Sequence, residues 1–301
     1  MLRAGGMMER LLSRKNETEQ RYDFMNRAAV RLGERALRMI KGDVRMYKKP
    51  DGTKVTDVDL DLNDLFIEMT AQDYPEDLVW GEEASNSTKG DLEQAAKRWM
   101  WTIDPIDGTS GFWRCYQAGN IKDATATILL AGFAPDETTP TIGTLYNPFQ
   151  ERTMQLSAGP DGTFYKSSAM AKPIRVSLDG DGPTSLDRVR RYERTTWSGA
   201  KHDLRKADDL LPRAREINHQ LFMGAVALGD SDLSAFPGPS NPHDIAPGAL
   251  AVHNAGGTVS SLAGEPFETI DWRLPVDGVV CTATPELSVE FLETFAKRCA
   301  V

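Results

Sequence analysis

The sequence predicts a mixed α/β fold in two lobes, and three observations predict it. Helical spacing runs from Glu17 to Ile40, strand-like apolar runs follow as far as Tyr165, and a stretch rich in Gly, Asp, Pro and Ser at Ser177–Ser185 reads as a linker. Beyond the linker, strands and helices alternate. The division falls at residues 1–180, a lobe rich in acidic strand ends, and 181–301, a smaller α/β lobe.

The elements follow in order. Met25, Ala29, Leu32, Ala36 and Ile40 recur every three or four residues, the period of an amphipathic helix stopped near Gly42. Asp51-Gly52 is a turn before Lys54-Val55-Thr56. A second helix then begins with Asp57 and Asp59 and turns Leu62, Leu65, Phe66 and Met69 to one face. Leu78-Val79-Trp80 is a short strand entering Gly81-Glu82-Glu83, and Ala84–Gly90 is a surface loop. Strands are expected up to Asp104, over Ala124–Gly132, Thr141–Tyr146 and Thr153–Ser157, and after the Gly159–Gly162 turn at Thr163–Tyr165. In the second lobe, helices are expected over Leu221–Leu228 and Ile245–Ala255, with strands at Leu233–Phe236 and Val279–Ala283. Leu287, Phe291, Leu292 and Phe295 share one face of a final helix.

Composition narrows the function. The 301 residues suffice for a substantial core, and a net charge of −9 argues against a nucleic-acid partner, whose phosphates require a basic face. Cys115, Cys281 and Cys299 are scattered without Cys-x-x-Cys spacing, which fits a reducing compartment. No stretch suits a secretory signal or a membrane span, so a cytoplasmic protein without a membrane partner is expected.

The chemistry is concentrated at Trp101-Thr102-Ile103-Asp104-Pro105-Ile106-Asp107-Gly108-Thr109-Ser110. An apolar strand delivers two carboxylates three positions apart. Gly108 then permits a close turn, and Thr109 and Ser110 open a helix. Acids held this close repel one another unless a divalent cation lies between them. A helix start beside that cation favours phosphate. The competing reading is an acidic capping turn without metal, which has no need of both acids. Further acids stand at strand ends or helix starts at Asp59, Glu82, Glu83 and Asp244.

In this order and context the set resembles the inositol monophosphatase family of magnesium-dependent, lithium-sensitive phosphatases. The similarity rests on Thr56-Asp57-Val58-Asp59, Gly81-Glu82-Glu83, the Asp104–Thr109 signature, and His243-Asp244-Ile245-Ala246 followed by Ala255-Gly256-Gly257. It implies a layered α/β/α/β/α sandwich whose N-terminal antiparallel sheet carries most of the acids, with Asp244 on the C-terminal α/β lobe. It also implies that Glu82, Asp104 and the Ile106 carbonyl hold one Mg²⁺ and that Asp104, Asp107 and Asp244 hold a second. A looser third ion would lie near Glu82. Asp107, Gly108, Thr109, Ser110 and Asp244 would contact substrate. Asp59, paired with the Thr109 hydroxyl, would help deprotonate a water that Glu82 orients. Members of the family are often homodimers.

Two departures from the family pattern concern the substrate. His243 replaces a usual Trp, either as a packing or capping group or as a residue that reaches the substrate or donates to Asp244. Asn218-His219-Gln220 stands where a Gly-Ser-Ala stretch usually meets the sugar ring, so His219 is either a substrate contact or a capping histidine. The expected reaction is hydrolysis of a small metabolite's phosphomonoester, most simply inositol monophosphate. A 3′-phosphoadenosine 5′-phosphate, sugar-bisphosphate or histidinol-phosphate substrate is the alternative. A catalytically silent metal and phospholigand module is the reading from another class. Haloacid-dehalogenase-type chemistry needs Asp-x-Asp, whereas Asp104 and Asp107 are separated by two residues.

Overall fold

A computed structural model describes residues 2–50, 52–83, 97–178, 180, 182–194, 204, 210–211, 213–217, 219 and 221–299, with side chains undescribed at 2–11 and 298–299. The expected loop at 84–90, together with Asp51, Asn218 and Gln220, lies outside these residues.

Helix α1 (Leu2–Met39) starts well before the expected Glu17 and is followed by the β1 (Met46–Lys48) and β2 (Lys54–Thr56) hairpin. Helix α2 (Asp57–Asp73) begins in a capping box: Thr56 and Asp59 each satisfy the other's backbone N–H. Phe24, Met25, Ala29 and Leu32 of α1 join Val58, Leu62 and Phe66 of α2 in one buried layer. Leu65 and Met69 are partly buried against it, on the predicted face. A Cβ on Gly33 would stand 2.5 Å from the Tyr146 ring, so only glycine lets α1 lie this close to the sheet below.

That sheet has seven strands in the order β3 (Leu78–Gly81), β4 (Met100–Asp107), β5 (Thr127–Phe133), β6 (Ile142–Asn147), β7 (Met154–Gly159), β8 (Gly162–Ser167) and β9 (Ile174–Val176). All neighbours are antiparallel except β3 and β4, which run parallel. Every residue of β5 is buried, because both faces of the sheet are covered. Ile128 and Leu130 meet the α1–α2 layer, and Leu129, Ala131 and Phe133 meet the other. The same two-residue period on β4 sends Trp101 and Ile103 to the α1–α2 side. Met100 goes to the opposite side, and Asp104 follows its alternation.

The middle layer contains α4 (Gly224–Ala227) and α5 (Pro242–Asn254). Helix α5 is buried along most of its length and rich in alanine, which suits a helix between two sheets. Pro247 lies against Gly143 of β6, where a Cβ would be 3.0 Å from its Cα. The second sheet is ordered β11 (Arg215–Glu216), β10 (Arg191–Arg194), β12 (Leu233–Phe236), β14 (Val279–Thr282) and β13 (Thr258–Ser261). On its outer face α6 (Pro285–Cys299) buries Leu287, Phe291 and Phe295 against Tyr192, Leu233 and Val280. The layers are thus α/β/α/β/α, as the resemblance implied.

Several elements differ from expectation. The helix expected over Leu221–Leu228 is only Gly224–Ala227, because Phe222 holds φ at 46° and breaks the helical run. Strands β10 and β13 had no apolar alternation to announce them. Among the described residues, no helix is long and apolar enough to cross a membrane.

Candidate active site

Strand β4, α2 and α5 bring the predicted acids together. Between Asp104 and Asp107 the pairing of β4 with β5 slips, a bulge that lets the strand end carry both acids. Asp104 is buried, and its Oδ1 accepts the backbone N–H of Ile106 at 3.0 Å. Gly108 follows at φ 87°, a left-handed conformation that favours glycine, and is the N-cap of α3 (Thr109–Gln117). The opening turn of α3, with Thr109 and the exposed Ser110, therefore presents N–H groups lacking partners within the helix.

Asp59 is fully buried at the start of α2. Its Oδ2 accepts the Thr56 N–H at 2.9 Å and the Thr56 hydroxyl. The Thr109 hydroxyl lies 3.1 Å from Asp59 Oδ1 and 3.0 Å from the Ile106 carbonyl, so its one proton serves one oxygen at a time. The predicted Asp59–Thr109 pairing is thus present. Burial pushes the Asp59 carboxyl up to about 6, with Thr56 opposing the shift and the charge of Glu82 adding to it.

Asp244 enters from the middle layer as the third residue of α5. Its Oδ2 accepts the Asn241 N–H at 3.2 Å, while Oδ1 lies 3.3 Å from His243 Nε2. His243 is buried beside it.

The carboxylates feel one another strongly. Burial raises Asp104 well above the ordinary range, and the charges of Glu82, Asp107, Asp244 and Asp59 raise it further. Burial likewise raises Asp107, followed by Asp244, Glu82 and Glu193. Burial raises Asp244 too; His243 opposes that shift and Glu82 reinforces it. Among the described residues no three acidic, His or Cys side chains close into a ready-made ion cage. The donor set nonetheless suits hard divalent cations: it is all oxygen, densely anionic and mutually repelling.

Glu82 and Glu83 follow β3 and share one ammonium. Lys49 Nζ is 3.1 Å from Glu82 Oε1 and 2.5 Å from Glu83 Oε1. Burial pushes the Glu83 carboxyl up to about 7 against the pull of Lys49. Lys49 was missed in the sequence, where Lys48-Lys49-Pro50 reads as a solvated turn.

His219 sits apart, on the wall leading to α4. Its Nδ1 accepts the Leu221 N–H at 3.1 Å, and its Nε2 lies 3.3 Å from Asp230 Oδ2. Both ring nitrogens are engaged within the chain, and burial lowers its basicity. Its own N–H donates to Glu193 Oε1 at 2.9 Å. Glu193, on β10, was also missed, because Arg190-Arg191-Tyr192-Glu193-Arg194 reads as surface charge.

Comparison with known proteins agrees with this architecture. The inositol monophosphatase family profile matches residues 17–298. Inositol monophosphatase 1 of Solanum lycopersicum is 25% identical over 94% of this chain and 97% of its own length. Histidinol-phosphatase of Mycobacterium tuberculosis is 29% identical over 74% and 79%. An IMPase/NADP phosphatase solved with Mg²⁺ and phosphate superposes with a TM-score of 0.70 at 17% identity, covering 92% of this chain and 95% of that one. Members of the family whose profile matches are phosphatases, a class of hydrolase. The chain belongs to the inositol monophosphatase family.

Proposed function

We propose that the protein hydrolyses a phosphomonoester of a small metabolite with the help of Mg²⁺. The observation that carries this reading is the convergence of five carboxylates from four separate segments, each of Asp59, Asp104, Asp107 and Asp244 being raised in part by Glu82. Such repulsion is relieved by divalent ions. Glu82, Asp104 and the Ile106 carbonyl would hold one, Asp104, Asp107 and Asp244 a second, and Glu82 a looser third. Bound divalent ions lower the pKa of an attacking water and neutralise a leaving oxygen.

The chain's own residues do the rest. The opening turn of α3, at Gly108, Thr109 and Ser110, receives the phosphate through its N–H groups. Thr109 Oγ1 takes a proton from the attacking water as it passes its own to Asp59 Oδ1, the partner at 3.1 Å. Asp59 can accept that proton near neutral pH because burial has brought it to about 6. Glu82 orients the water.

The tomato relative supports inositol monophosphate as substrate, and the mycobacterial relative supports histidinol phosphate. A substrate panel read by phosphate release, with Mg²⁺, with chelator and with Li⁺, tests the reading. Release that requires Mg²⁺ and falls with Li⁺ is expected. Release unaffected by chelator, or none from any ester, would overturn it.

A further inference from the structure

Helix α2 buries an amide that no described residue satisfies. Asn63 is fully buried, yet among the described residues neither its Nδ2 nor its Oδ1 has a hydrogen-bond partner. Native proteins rarely leave both ends of a buried amide unmatched, because the lost hydration goes uncompensated. A leucine branches at the same carbon and would bury its methyls there favourably. Polar groups held against that gradient concentrate at functional sites.

The position of Asn63 says which function. It follows Asp59 by four residues, so the two share one face of α2. Gly81 lies against that face. A Cβ on Gly81 would collide with Asn63 Oδ1 and stand 3.1 Å from its Cγ and 3.3 Å from Ile103 Cγ2, so only glycine lets the strand end rest on the amide. The next residue is Glu82, whose N–H donates to the Ile103 carbonyl at 3.0 Å. Its carboxylate is engaged by Lys49, with Nζ 3.1 Å from Oε1.

We propose that Asn63 is a positioning residue for Glu82. As the Glu82 carboxylate leaves Lys49 for a divalent ion, the Gly81–Glu83 backbone turns and the Asn63 amide hydrogen-bonds to it. The inference rests on the phosphatase reading above, in which Glu82 holds an ion. The amide destabilises the metal-free protein and stabilises the metal-bound one, and the difference adds to ion affinity. Asn63 thus acts through the main chain beside Glu82 and touches neither ion nor substrate.

Melting curves of the unmodified protein, Asn63→Leu and Asn63→Ser, in chelator and in Mg²⁺, test this, together with Mg²⁺ titrations of phosphate release. In chelator, Asn63→Leu is expected to melt no lower than the unmodified protein, since it removes an unmatched amide. Its Mg²⁺-induced rise in melting temperature should be smaller, and the Mg²⁺ concentration for half-maximal activity roughly tenfold higher, the equivalent of one hydrogen bond. KM for the ester at saturating Mg²⁺ should not change. Asn63→Ser keeps a donor and an acceptor and should recover part of the Mg²⁺ response. Should Asn63→Leu not fold, Asn63→Ala against Asn63→Ser makes the same comparison. A Mg²⁺ response unchanged in Asn63→Leu, whatever its stability in chelator, overturns the inference alone. No Mg²⁺-induced rise in the unmodified protein overturns the reading of Glu82 as an ion ligand and the inference with it.

Discussion

The two halves of the site are built differently. In the phosphate half, Asp59, Asp104 and Asp244 are each held by short-range backbone bonds from residues two or three positions away. At the start of the second sheet, Glu193 and His219 are joined across a separation of 26 residues, and Phe222 holds a positive φ of 46°. The first kind of order is local and is written in contiguous motifs. The second emerges only when β10 and the turn before α4 meet. The chemistry proposed above thus rests on the part fixed by local geometry.

The largest effect that would break this comparison is expected at Asp104. Asp104→Asn should lower turnover by on the order of 10³-fold. It should leave the metal-free melting temperature unchanged or higher, since it removes one member of a repelling buried set. Turnover near the unmodified level would show that the strand end is not the reacting half.

Thr109→Ala comes next, with an expected loss of roughly a hundredfold in kcat. Activity of the unmodified protein should rise with pH through about 6, as Asp59 becomes able to accept a proton. A pH profile flat across that range would separate Asp59 from the proton's path.

A smaller effect concerns stability. Asp59, Glu83 and Glu193 are raised by burial to about 6, 7 and 7, so protonation favours the folded state. Their contribution is full below the ordinary carboxylate range and is lost as pH rises through these values. The metal-free protein should accordingly melt higher at about pH 5.5 than at about pH 8, and Mg²⁺ should narrow the gap. Melting curves in chelator check this; a gap of opposite sign would contradict the placement of these acids.

The smallest effect is expected for Lys49→Met, which frees Glu82 and should lower the Mg²⁺ concentration for half-maximal activity a few-fold. That is about the 0.2–1 kcal/mol of an accessible ion pair. A Mg²⁺ titration of activity reads it.

Legibility follows the same division. The β4 run into Asp104, the capping box at Thr56 and Asp59, and the α5 start at Asp244 could each be read from neighbouring residues. So could the final helix, whose apolar face keeps a plain helical period. Strand β10 could not, because only sheet pairing and α6 make its charged sequence a buried strand. Phe222, at φ 46°, cut the helix expected at Leu221–Leu228 to Gly224–Ala227, a break that the apolar period of those residues does not announce. Glu193 and Lys49 belong to ordinary-looking charged runs, and only the fold shows what each faces.

The central claim is that these carboxylates gather divalent ions beside a phosphate cradle. Calorimetric titration of the metal-free protein with Mg²⁺ in the presence of inorganic phosphate tests it most directly. Saturable uptake of at least two ions is expected, with protons released as the raised carboxyls ionise. An absence of uptake, or uptake unchanged in Asp104→Asn, would contradict it.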